Sequence, residues 1–100
     1  MKSLVYGNTP LLVCDAVAYT TIDYAVALAQ SGLADRVNVP TFDDSGTAVT
    51  ATIVLAPALY LVALAAADDE IGDNLMTIPP ATRGYLYDID ARTAAVRAAP

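Results

Sequence analysis

Apolar and polar positions divide the chain into segments with two different periods. Residues 2–6 and 11–13 are short apolar runs separated by Gly7-Asn8-Thr9-Pro10. Gly7 and Asn8 tolerate positive φ, and Pro10 holds Thr9 extended, so the segment predicts a small β-hairpin. Between residues 16 and 31, Val17, Ile22, Ala25, Val26, Leu28 and Ala29 fit one broad face of period 3.6 and predict a helix. Asp15 is the expected N-cap, its carboxylate accepting from the first-turn amides, and Gly32 the left-handed stop. Tyr19 and Tyr24 are expected at the edge of the buried face with their hydroxyls in water. Residues 36–42 then alternate, with Val37 and Val39 on one side and Pro40 marking an edge strand or bulge. Asp43-Asp44-Ser45-Gly46 reads as a hairpin connection into a strand over residues 47–55.

The next segment sets the class of protein. Residues 48–67, AVTATIVLAPALYLVALAAA, carry no charge. The length suits a membrane span of roughly 20 residues. Pro57 at its centre opposes one, because proline removes a helical donor and clashes with the preceding turn. Thr50 and Thr52 alternate with Val49, Ala51 and Ile53, which is period two. Both flanks are acidic, with Asp43 and Asp44 before and Asp68, Asp69 and Glu70 after, and no cation stands near either end to set an orientation. The expectation is two buried strands, 47–55 and 59–65, broken at Pro57, forming with 36–42 a meander at the middle of the sheet.

Residues 68–74 read as a polar loop, 75–78 as a short strand, 79–84 as a turn and 85–89 as a last strand. The alanine-rich stretch from residue 91 is a short helix or a frayed tail. The pattern predicts one α+β domain over residues 1–100: a mainly antiparallel sheet of about five or six strands, an ordinary number, with one principal helix packed on one face.

Composition narrows the function classes. The chain has 100 residues, 56% of them hydrophobic, with a single Phe and no Trp. Much of the apolar content is alanine, which buries little area, so the core is thin and self-association is an economical way to hide more surface. The net charge is −6, and the five cations Lys2, Arg36, Arg83, Arg92 and Arg97 are scattered. Phosphate backbones need clustered cations, so nucleic acid is not an expected partner. Cys14 is the lone cysteine, and its neighbour Asp15 disfavours a thiolate, so it reads as a structural thiol. The apolar patch before Gly7 is too short for a secretory signal, and a cytoplasmic location is expected, without membrane association.

Candidate chemistry is sparse. Histidine is absent, which removes the commonest general base and zinc ligand, and the five glycines are isolated. No catalytic residue, metal site or cofactor is expected. Asp68-Asp69-Glu70 with Asp73 and Asn74 lacks the alternate-position spacing of a calcium loop and reads as a solvated connection. If residues 85–89 form a strand, Tyr85 and Tyr87 share one face beside Arg83, and Asp88 and Asp90 share the other register. Arg83, Tyr85, Tyr87, Asp88 and Asp90 are therefore the candidate ligand or partner surface.

Three stretches carry a likeness to known sequences: Leu4-Val5-Tyr6-Gly7, the acidic helix start Cys14-Asp15, and Thr52-Ile53-Val54-Leu55-Ala56-Pro57-Ala58-Leu59-Tyr60-Leu61, together with the Ala-Pro ending. In these the chain resembles a family of small uncharacterised actinobacterial proteins. The resemblance implies a helix in the second half, where the residue pattern alone reads as strands, and implies no activity. The leading expectation is a non-enzymatic interaction or self-assembly module whose partner is another protein or a second copy. The alternatives are a small ligand-binding or enzymatic domain using Arg83, Tyr85, Tyr87 and Asp88, and a structural subunit of a larger assembly such as a phage particle.

Overall fold

Strands β1 (Lys2–Tyr6) and β2 (Thr9–Val13) form the expected hairpin in a computed structural model that describes residues 1–66 and 79–99. Their register runs from Tyr6↔Thr9 to Lys2↔Val13, and Gly7 takes φ 59° at the first of two turn positions. A glycine there is what a type II′ hairpin turn requires. Helix α1 (Asp15–Ser31) follows at once. Its N-cap is Cys14 rather than Asp15, which lies inside the first turn, where its charge still complements the helix dipole. Gly32 closes the helix at φ 66°, with Leu33 N–H returning to the Leu28 carbonyl at 2.9 Å.

Strands β3 (Asp35–Phe42) and β4 (Ala48–Leu55) pair antiparallel along their full length, from Asp35↔Leu55 to Phe42↔Ala48. The Asp43 carboxylate builds the intervening turn by accepting from the backbone N–H of both Ser45 and Thr47 at 2.9 Å, and Gly46 supplies the φ of 81°. After the Pro57 turn comes β5 (Leu61–Ala65), and later α2 (Pro80–Ala98). The five strands form one antiparallel sheet in the order β4-β3-β2-β1-β5. The architecture is therefore α+β, as the pattern predicts.

Two expectations about the second half are corrected. The strands on either side of Pro57 are not neighbours: β5 crosses to the far side and pairs with β1, from Tyr6↔Leu61 to Lys2↔Ala65. The meander thus stops after β4, and the uncharged run supplies both edges of the sheet rather than its middle. Residues 85–89 are helical, within α2, not a strand. Pro80 stands at the first helical position, where its missing N–H costs nothing. The expected strand at 75–78 and the acidic loop at 68–74 lie outside the described residues.

Strand β4 returns to the vicinity of β1 because the sheet curls. In a flat sheet β1 and β4, three places apart, would be about 14 Å from each other. Yet the Tyr6 hydroxyl donates to the Val54 carbonyl at 2.9 Å and accepts from the Val54 N–H at 3.4 Å. A tyrosine side chain cannot span the flat distance, so the sheet folds over about the short β2–β3 junction, where a single pair, Leu12↔Phe42, joins the strands. The concave side holds the core. Leu4, Val13, Val37, Val39, Ile53 and Leu55 of the sheet meet Val17, Ala18, Tyr24 and Leu28 of α1 and Tyr85 and Ile89 of α2. No helix among the described residues is long and apolar enough to cross a membrane.

Leu55, fully buried at the end of β4, anchors this closure. Leu55→Ala is expected to destabilise the fold by about 2–5 kcal/mol through lost burial and the cavity left behind. Urea unfolding followed by circular dichroism checks it.

Candidate functional site

α2 redistributes the residues that a strand would have aligned. At 100° per residue, positions two apart lie on nearly opposite sides of a helix. Tyr85 is buried at 8% exposure, whereas Tyr87 stands in solvent at 80%. Arg83, Tyr87 and Asp90 follow the i, i+4, i+7 stripe on the exposed side of α2. Tyr85 and Asp88 face β3, where they line a cleft with Val37, Asn38, Gly84 and Arg92. The paired-tyrosine surface and the paired carboxylates expected of a strand do not exist in this geometry.

The cleft is anchored by a polar cluster that sequence reasoning missed. Asp35, the first residue of β3, accepts hydrogen bonds from the Tyr24 hydroxyl of α1 and, at 2.9 Å, from Arg92 Nη1 of α2. Arg92 also grips Asp88 one turn earlier, with Nε–Oδ1 at 3.3 Å and Nη2–Oδ2 at 3.0 Å, and reaches the Arg36 carbonyl at 3.4 Å. Behind it, the Tyr85 hydroxyl and Thr21 Oγ1 share a buried hydrogen bond of 2.6 Å between the two helices. Tyr24 was expected to keep its hydroxyl wet; instead its ring is buried and its hydroxyl is committed to Asp35. The sequence signal was present in one place: Asp88 and Arg92 have the i, i+4 spacing of a helical ion pair.

The electrostatics follow from these contacts. The hydrogen bond from Tyr24 holds the Asp35 carboxyl below its ordinary 3.8, helped by the Arg36 N–H and by Arg92, while burial works the other way. Burial, reinforced by the Asp35 carboxylate, pushes the Tyr24 phenol up from 10.0 to about 12. Burial likewise pushes the Tyr85 phenol up to about 12. All three Arg92 guanidinium nitrogens are engaged by acceptors. With two carboxylates around one guanidinium, the cluster is a tie between elements and not a receptor for an anion. No group of three or more Cys, Asp or Glu among the described residues is placed to hold a metal ion.

A second surface has the opposite character. On the convex face of the sheet, Phe42, Leu12, Ser3 and Leu64 form one row across four strands, and Pro10, Val5 and Val62 form the next. Val62 and Leu64 are 46% and 52% exposed, and neither row contains a charged residue. An apolar groove of about 220 Å³ adjoins the start of β5, between Ile22, Ala25 and Val26 of α1 and Pro57, Leu59 and Leu61. Thus part of the apolar face read for α1 lines this groove, whereas Val17 and Leu28 enter the core. The chain matches no protein-family model, no curated protein and no solved structure, so both surfaces are interpreted from their own chemistry.

Two pH limits follow. Asp35 has a lowered folded pKa, so its contribution to stability is complete above pH 3.8 and is lost as pH falls through the folded value. Asp35→Asn is expected to flatten that acid-side loss while costing about 1–2 kcal/mol at neutral pH, since Tyr24 and Arg92 lose a charged acceptor. Tyr24 and Tyr85 have raised values, so the stability they contribute is complete below pH 10 and is lost between 10 and about 12. Tyr85→Phe is expected to cost about 1 kcal/mol at neutral pH and to reduce the alkaline loss. Denaturation curves at stepped pH read both.

Proposed function

We propose that the protein is a non-enzymatic interaction module that associates with a second copy of itself through the convex face of β1, β2 and β5. The observation that supports this reading is the absence of charge from that face in a chain with a net charge of −6. Eleven acidic residues are distributed over 100 positions, and none falls in the two rows that cross from Phe42 to Leu64 and from Pro10 to Val62. Apolar residues left in solvent together, as Pro10, Val62 and Leu64 are on this face, mark association surfaces. A second copy places the same uncharged face opposite, so the acidic remainder stays in solvent and the mutual repulsion is kept away from the contact. Two sheets stacked face to face at about 10 Å would interleave Val62 and Leu64 with their symmetry mates.

The chemistry of the polar cluster favours this reading over an enzyme. Its carboxylates and phenols are bound to one another, and Tyr85 is turned toward Thr21. Light scattering across a micromolar concentration series is the test. Association that rises with concentration is expected, and Val62→Lys combined with Leu64→Lys is expected to leave a monomer. Both positions are exposed, so the folded stability of that variant should stay within about 0.5 kcal/mol per substitution. A wild-type chain that is monomeric throughout, or a double variant that associates as before, contradicts the proposal.

A further inference from the structure

We propose that the free edge of β4 is a docking site for a short extended segment of another polypeptide, which adds to the sheet as a further strand. The backbone shows which groups are on offer. In an antiparallel pair, residues bonded to the partner strand alternate with residues whose N–H and C=O turn away from it. Val54 turns both groups away from β3, since the Tyr6 hydroxyl bonds to both. By the same alternation Thr52, Thr50 and Ala48 also turn theirs outward. Pro40, which has no N–H to give, stands opposite Thr50 as this register requires. β4 has β3 as its one strand neighbour, and no described residue bonds the backbone of Ala48, Thr50 or Thr52 on the outer side. A row of donors and acceptors that recurs every second residue matches one ligand geometry, an extended main chain.

Two further observations separate this edge from an ordinary one. Exposed edges are commonly blunted by a charge, a proline, a bulge or shortness. β4 runs for 8 residues without a charge or a proline and keeps an unbroken register with β3, whereas the opposite edge, β5, has 5 residues. Val49, Ala51, Ile53 and Leu55 share the core side of β4, yet exposure is 43% at Val49 against 0% at Leu55. The core is thus left uncovered beside the free edge. There an apolar cleft of about 220 Å³ opens between Thr41 and Val49 and the start of α2 at Pro79, Ala81 and Thr82. An added strand places every second side chain on that side. Size selects the occupant. Tyr6 closes the edge at Val54, which leaves residues 48–52, about 17 Å of strand. That contact falls short of the roughly 800 Å² per partner that joins two folded subunits, and suits a flexible segment with β-branched side chains of its own.

The probe is the capped peptide acetyl-Thr-Val-Thr-Val-Thr-amide, and the readout is amide hydrogen exchange in the whole chain. Laid antiparallel on β4, its threonines fall opposite Ala48, Thr50 and Thr52 and turn their N–H groups toward the edge, while its valines point to the cleft side. Without peptide, Thr50 and Thr52 are expected to exchange much faster than Ala51 and Ile53, whose N–H groups bond to β3. Peptide at ten times its dissociation constant is expected to slow Thr50 and Thr52 about tenfold and to leave Ala51 and Ile53 unchanged. N-methylation of the three threonines removes the donors that face β4 and is expected to abolish the protection. N-methylation of the two valines, whose N–H groups face away, is expected to keep it. Thr50 and Thr52 protected without peptide, no protection from the parent peptide, or equal protection from the threonine-methylated one would overturn the proposal. The series is run on the wild-type chain and on the variant with Val62→Lys and Leu64→Lys. Protection that rises with protein concentration in that variant marks a second copy at the edge and also counts against the proposal. Because β4 lies outside the face formed by β1, β2 and β5, the result is independent of whether that face self-associates.

Discussion

The Asp35 carboxylate is where the sheet and both helices are fastened together. One side chain at the start of β3 accepts from Tyr24 of α1 and from Arg92 of α2, and those partners are 11 and 57 residues away in sequence. An exposed ion pair contributes little by itself, about 1 kcal/mol or less. Here the charge also fixes a buried tyrosine hydroxyl, and removing it leaves a polar atom of the core without its acceptor. The Thr21–Tyr85 bond then ties α1 to α2 directly. Together these contacts determine how the helices are rotated against the concave sheet, and thereby which side of α2 faces β3.

Sheet curvature does the corresponding work on the other side of the core. The helices are rich in alanine, so most of the large side chains available for burial come from the sheet. Folding over at the Leu12↔Phe42 junction lets β1 and β4 share the same interior, so Leu4 and Leu55 enter one core. Tyr6 completes the arrangement by satisfying both backbone polar groups of Val54. In an antiparallel pair the N–H and C=O of one residue point the same way, so the hydroxyl covers the side of β4 that has no strand neighbour.

Much of the first half was legible because local chemistry and tertiary structure agree there. Gly7, Gly32 and Gly46 each stand at a position with positive φ, and Val37 and Val39 alternate into the core as the period-two pattern requires. The second half was misread for a physical reason. The inward face of α2 is Thr82, Tyr85, Ile89 and Thr93, two threonines among four buried residues. Hydropathy therefore hides its 3.6 period, and the β-forming run Tyr85–Ile89 imitates a strand. Thr93 is tolerated inside because its hydroxyl donates to the Ile89 carbonyl at 2.8 Å. The polar cluster was not legible at all beyond the Asp88–Arg92 spacing, since Asp35 resembles any residue of a polar turn until the fold brings Arg92 to it. The strand geometry that would pair Tyr85 with Tyr87 is absent, and Tyr85 and Asp88 line the cleft because α2 turns them toward β3.

The partnership of β1 with β5 joins Lys2 to Ala65 and Tyr6 to Leu61, so the sheet's last seam closes between segments far apart along the polymer. Until that seam closes, a nascent or partly opened chain offers β1 as a vacant slot shaped for the sequence Leu-Val-Ala-Leu-Ala. Such a non-local pairing forms late relative to the local β1–β2 hairpin, because the loop-closure entropy must be overcome before its contacts are gained.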